Sequence, residues 1–123
     1  NSNTLKLFDT AHQFGMKYIL ADEIFYENLP KIYQKIDELI FLVDQLYLTI
    51  CMDVFNAAIA PGVSATAYNG IFADATFLLF YRHILKSEKL IALDVAEVNP
   101  EFDIAERTAR LAASLVNEWF MIS

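Results

Sequence analysis

The strongest constraint on this chain is the placement of two short apolar runs, residues 46–52 (LYLTICM) and 90–98 (LIALDVAEV), on either side of a long helical pattern. Each run is too short for an independent helix and reads as a buried strand. Two strands joined through a helix need a crossover connection, and a crossover within one sheet makes the strands parallel. A parallel sheet has to be covered on both faces, so helices are expected above and below it.

The rest of the chain supplies those helices. Ser2 or Asn3 is placed to cap a helix over residues 4–14, where Leu5, Phe8, Ala11 and Phe14 recur at near-helical spacing and Gly15 offers a left-handed stop. Tyr18, Ile19 and Leu20 read as a further short strand. Asn28 and Pro30 open a second helix with one continuous stripe of Leu29, Ile32, Tyr33, Ile36, Leu39, Ile40 and Val43. Residues 56–70 are loop, punctuated by Pro61-Gly62 and Asn69-Gly70. A third helix, residues 71–86, carries Phe72, Phe77, Leu78, Leu79, Phe80, Tyr81, Ile84 and Leu85 around most of its circumference, so it should be enclosed on several sides. Asp103 and Glu106 match a D-x-x-E capping box ahead of a last helix running to Phe120, with Ile104, Thr108, Leu111, Ala112, Leu115, Val116 and Trp119 on its inner face. The order α-β-α-β-α-β-α predicts an α/β fold in one domain over residues 1–123, a three-layer α-β-α arrangement around a mainly parallel sheet.

A chain of 123 residues can bury roughly two-thirds of its unfolded surface. Its apolar share of 56%, with ten Phe and six Tyr, exceeds what so small a core needs. Either the domain is unusually well buried or another element covers one of its faces, and a helix apolar nearly all round favours the second. The net charge of -7 repels phosphate backbones and anionic lipid, which argues against nucleic acid and membrane surfaces as partners. Charged and polar residues interrupt every apolar stretch well short of the roughly 20 residues a membrane span requires. The single cysteine, Cys51, excludes an internal disulfide and is compatible with a reducing cytoplasm.

In open parallel sheets the reactive crevice lies beyond the carboxyl ends of the strands. Asp53 follows the last apolar residue of one strand and Glu97 lies near the end of the other, so both are candidates for one crevice. Asp94 stands three residues earlier, on the opposite face by strand alternation, and reads as a structural carboxylate bonded to a neighbouring loop. Carboxylates drawn out of water need partners, and a divalent metal is one; capping of the following turn by Asp53 is the other. His12 and His83 sit on predicted helices, away from the strand ends, and read as surface or core residues. Cys51 reads equally as a small buried apolar side chain or as part of the crevice.

Two segments carry a resemblance. Tyr47-Leu-Thr-Ile-Cys-Met-Asp-Val-Phe-Asn-Ala-Ala-Ile-Ala-Pro-Gly62 resembles the metal-binding stretch of the ureohydrolases, the arginase and agmatinase superfamily, written Y-[VIL]-S-x-D-x-D-x-x-D-P-x-x-A-P-G. Leu93-Asp-Val-Ala-Glu-Val-Asn-Pro-Glu-Phe-Asp103 is similar to that family's D-x-x-E-V-N-P-x-x-D segment, and Thr108-Ala-Arg-Leu-Ala-Ala continues the match. The resemblance implies a partial arginase-like fold, corresponding to the C-terminal portion of the catalytic domain, with the H-x-D-A-H-x-D and G-G-x-H ligand segments not represented. It implies two Mn²⁺ ions in the full-length enzyme and none held stably by this piece, which should be inactive alone. Asp53 corresponds to the second aspartate of D-x-D, a metal ligand, while Cys51 takes the first aspartate's place and Asn56-Ala57 replace D-P. Glu97 corresponds to the glutamate that binds the cationic amidine or guanidinium of a small-molecule substrate. Val63-Ser64-Ala65 stands where most members have T-G-T-P, and resembles the formimidoylglutamase version. That implies hydrolysis of N-formimidoyl-L-glutamate to glutamate and formamide in cytoplasmic histidine breakdown, with agmatinase or arginase chemistry as the alternative. The resemblance also implies a homo-oligomer, since members are typically oligomers, and a non-catalytic, self-associating module with the 71–86 helix as its contact is the reading from another class.

Overall fold

The computed structural model describes residues 4–122. Its elements are α1 (Leu5–Gln13), α2 (Leu29–Leu42), β1 (Leu46–Cys51), α3 (Ala75–Leu85), β2 (Leu90–Ala96) and α4 (Arg107–Ile122). Single 3-10 turns occupy Ala21–Glu23, Tyr26–Asn28, Met52–Val54 and Pro100–Phe102. The caps expected at Ser2 or Asn3 lie outside the described residues; Thr4 caps α1, its hydroxyl oxygen accepting from the Leu7 N–H at 3.4 Å.

β1 and β2 pair in parallel, with Leu48 opposite Leu93, Ile50 opposite Val95 and Cys51 opposite Ala96. α3 makes the crossover between them. Leu46, Leu48 and Ile50 of β1 and Leu90, Leu93 and Val95 of β2 join one core with Phe77, Tyr81 and Leu85 of α3 and Ala112 and Leu115 of α4. The other side of β1 carries Tyr47, Thr49 and Cys51, all exposed, so the strand alternates although its sequence is apolar nearly throughout. No helix among the described residues is long and apolar enough to cross a membrane.

Residues 16–20 are not a strand. A strand exists only through a ladder with a neighbour, and this segment is fastened to α1 instead: the Tyr18 ring lies 5.2 Å from that of Phe8 and its hydroxyl is 3.1 Å from His12 Nε2. α3 begins at Ala75 rather than 71, because the Asp74 carboxylate accepts from the Phe77 N–H at 3.0 Å and caps the helix there. Ile71 forms an isolated bridge with Phe55 instead.

Most of the apolar circumference of α3 is used inside this chain, with Leu79 left exposed. Phe77, Tyr81 and Leu85 are buried, Leu78 and Phe80 pack half-buried against the core, and the helix contacts both α2 and α4. The apolar excess emerges elsewhere, at Leu5, Phe41, Leu42, Tyr68, Phe120 and Met121. Nor do Asp103 and Glu106 form a reciprocal capping box. Ala105 and Glu106 have positive φ (51° and 59°), so the helix starts only at Arg107.

Candidate functional site

The carboxyl end of β1 is fixed by its neighbours in sequence. Met52 and Phe55 are fully buried, and they pin the 3-10 turn between them so that Asp53 stays half-buried and Cys51 exposed at the strand tip. Exposure removes the reading of Cys51 as a buried apolar filler. Capping of the loop falls to Asn56: its Oδ1 accepts from the Ala58 N–H at 2.9 Å and its Nδ2 donates to the Tyr68 carbonyl at 2.7 Å. The Asp53 carboxylate makes no hydrogen bond among the described residues.

β2 ends at Ala96, opposite Cys51, and Glu97 follows at once. Glu97 has φ 68°, a left-handed conformation that costs a non-glycine residue on the order of 1–2 kcal/mol. Strand alternation therefore stops at Ala96 and does not set Glu97 against Asp94. Burial pushes the Cys51 pKa up first, and the charges of three carboxylates, Asp53, Glu97 and Asp94, push it further. Cys51 ends β1, Asp53 lies in the turn after it, and Glu97 follows the last residue of β2, so the three stand at the carboxyl end of the parallel pair. Asp94 is held by the neighbouring strand rather than by a loop, accepting a hydrogen bond from the Tyr47 hydroxyl. That bond, with some burial and the carboxylate's charge, keeps the phenol protonated above its usual range.

A clamp behind the crevice went unassigned in the sequence. The Gly62 N–H donates to the fully buried Thr108 hydroxyl at 2.8 Å, and the Asn99 N–H donates to the Gly62 carbonyl at 2.6 Å. Asn99 Nδ2 reaches Ser64 Oγ at 3.1 Å, while its Oδ1 accepts from the Glu101 N–H at 3.1 Å. Asp103 accepts from the N–H groups of Ile104, Thr108 and Ala109 at 2.9, 3.1 and 3.2 Å. Partial desolvation pushes the Asp103 carboxyl up, but these donors and the Thr108 side chain outweigh it and hold the group below the ordinary aspartate value. A Cβ on Gly62 would stand 2.6 Å from Asp103 Cβ, so glycine is required for the loop to approach α4 this closely. The only sequence signal for this clamp was that Gly62, Asn99 and Asp103 all fall inside the two matched segments.

The donor set is partial. No group of three or more His, Cys, Asp and Glu side chains among the described residues could hold a metal. His12 is engaged with Tyr18, and His83 Nε2 lies 2.6 Å from Asp37 Oδ1. Asp53 and Cys51 remain as one oxygen and one sulfur donor, enough to contribute to a centre but not to complete one. An open cleft lined by His12, Tyr18, Glu23 and Lys35 is a separate feature, to which none of the strand-tip residues contributes.

Comparison with known proteins places the chain. The Arginase family model matches residues 2–122. Formimidoylglutamase of Staphylococcus carnosus (strain TM300) is 45% identical over 118 residues, which is 96% of this chain and 38% of that protein. Formimidoylglutamase of Clostridium tetani is 40% identical over 116 residues, 94% of this chain and 34% of its own length. The chain thus spans little more than a third of the relatives it matches. Among solved structures, formimidoylglutamase from Bacillus subtilis superposes with a TM-score of 0.88 at 23% identity, covering 98% of this chain and 37% of that one. Arginase from Bacillus caldovelox gives 0.84 at 21% identity, over 98% and 40%. These likenesses establish the fold, part of an α/β arginase fold with a parallel sheet. The chain belongs to the arginase family.

Proposed function

We propose that this chain is the C-terminal part of a cytoplasmic formimidoylglutamase, a dimanganese hydrolase that cleaves N-formimidoyl-L-glutamate to glutamate and formamide, and that it is inactive alone. The supporting observation is the meeting of Cys51, Asp53 and Glu97 at one carboxyl end of the parallel pair, in a chain whose relatives carry that enzyme's name. Bound manganese supplies hydroxide near neutral pH by lowering the pKa of water. Asp53, half-buried and without a hydrogen-bond partner among the described residues, contributes a hard oxygen donor to that centre. Cys51 stands where the family has a carboxylate, and it would offer that centre a thiolate sulfur in place of an oxygen. A thiolate is softer than a carboxylate, so this position weakens the preference for manganese. Glu97 accepts two parallel hydrogen bonds from the planar amidinium and turns its carbon toward the nucleophile.

The test is a substrate panel on the full-length protein that contains this segment, loaded with Mn²⁺: N-formimidoyl-L-glutamate, arginine and agmatine. Preferential release of formamide and glutamate supports the reading. Urea from arginine or agmatine moves it to the guanidino branch of the family, and turnover of none of the three rejects it. The chain alone should release no product from any of them. A non-catalytic, self-associating module is favoured by the exposed apolar side chains at Phe41, Leu42 and Phe120.

A further inference from the structure

We propose that Asn99 is a positioning residue that sets the Glu97 carboxylate by tying the tip of β2 to the loop at Gly62 and Ser64. This rests on the reading of Glu97 as the substrate-binding carboxylate. Glu97 itself has no hydrogen bond among the described residues and sits in a left-handed conformation that its own side chain does nothing to favour. Something else has to hold the peptide there. Two residues on, Asn99 has its backbone N–H, side-chain donor and side-chain acceptor all engaged. The N–H goes to Gly62 O at 2.6 Å, Nδ2 to Ser64 Oγ at 3.1 Å, and Oδ1 receives the Glu101 N–H at 3.1 Å.

The acceptor bond starts the 3-10 turn Pro100–Phe102, so the chain beyond Glu97 is fixed as it leaves the strand. The other two bonds reach the 62–64 loop, which the Gly62 N–H anchors to the buried Thr108 hydroxyl of α4. The strand tip is therefore fixed on one side by β1 through Ala96 and Cys51, and on the other by Asn99. Glu97 is suspended between those two anchors. Ser64 spends its acceptor on Asn99 Nδ2, which ties the Val63-Ser64-Ala65 loop to the same side chain.

A residue that acts through another leaves a distinct kinetic trace. In the manganese-loaded full-length protein, Asn99→Ala should lower kcat/KM by about 10- to 100-fold, mostly through KM, because a displaced carboxylate loses binding common to substrate and transition state. Asn99→Asp keeps the acceptor for Glu101 and lets the Ser64 hydroxyl donate in return, and should recover most of the loss. Glu118→Gln, on the far end of α4, controls for general destabilisation and should leave KM within about threefold. The decisive measurement is the cycle with Glu97→Gln: in that background Asn99→Ala should cost no more than about twofold further. Losses that multiply in the double variant overturn the positioning role while leaving Glu97 as the binding carboxylate. Wild-type kinetics in Glu97→Gln, or no turnover by the unmutated protein, overturn the reading of Glu97 and the positioning role with it.

Discussion

Cys51 is a solvent-accessible thiol held in its neutral form by partial burial and by Asp53, Glu97 and Asp94. Thiolate is the reacting species in alkylation, so a raised pKa slows the reaction at any pH below it. Iodoacetamide should modify Cys51 at pH 8 more slowly than a free cysteine peptide, with a half-rise displaced above the ordinary value of about 8.5. Asp53→Asn should speed the reaction; a half-rise at the peptide's value would show that the carboxylates do not reach the thiol. Gly62 and Asp103 make a second residue-scale case. Gly62→Ala forces a Cβ against Asp103 and should cost about 1–3 kcal/mol in urea denaturation. Asp103 has its folded pKa below its unfolded one, so its contribution is complete above the ordinary aspartate value and is lost as the pH falls through the lower folded value. As the pH falls below the ordinary aspartate value of about 3.9, the stability gap between the wild type and Asp103→Asn should therefore close. A gap independent of pH there would mean that the carboxylate's charge is not what caps α4.

At the scale of elements, α3 and α4 are joined by more than apolar contact. The Tyr81 hydroxyl donates to the Leu115 carbonyl at 2.5 Å, its ring stacks on Phe77 with centroids 5.3 Å apart, and Arg82 grips Glu118 with bonds of 2.8 and 2.9 Å. Burial, followed by the charge of Glu118, pushes the Tyr81 pKa up to about 12. Tyr81→Phe keeps the packing but removes the buried bond, and should lose about 1 kcal/mol at neutral pH; an unchanged urea midpoint would assign the α3–α4 contact to packing alone. The elements that could be read from sequence are those whose signal is local: the stripe of α2, the strand runs at 46 and 90, and the body of α4. Tyr18 to Leu20 failed because strand formation depends on a partner that three apolar residues cannot announce. The start of α3 is hidden from periodicity, because the apolar run 71–73 extends the helical pattern back past Asp74, the residue that caps it. In the site, Asp53 and Glu97 follow from strand ends and family resemblance. The clamp did not, since Gly62–Thr108 and Ser64–Asn99 join residues 46 and 35 positions apart.

For the whole molecule, the distribution of apolar surface decides how the isolated chain should behave. The composition points to α3 for the excess, but that helix turns Phe77, Tyr81 and Leu85 into the core and leaves only Leu79 among its large apolar side chains exposed. What remains outside includes Leu39, Phe41 and Leu42 at the end of α2, exposed at 47%, 83% and 75%, together with Phe120 and Met121 at the end of α4, at 72% and 77%. Large apolar side chains left in water favour association when they lie close enough to be covered together. The net charge of -7 opposes it, and that repulsion is weakened by salt. Sedimentation of the 14.0 kDa chain at micromolar concentration should therefore show species heavier than a monomer, more of them as salt rises, and Phe41→Glu with Leu42→Glu should return it toward the monomer. The same chain titrated with MnCl₂ should show no pair of tight sites, because Asp53 and Cys51 supply too few donors to hold two ions. A strict monomer at high salt would mean that these side chains are ordinary surface and that the self-associating reading fails. Two tight manganese sites would mean instead that the strand tips can assemble a centre without any further ligands, against the dependence on the rest of an arginase-family enzyme.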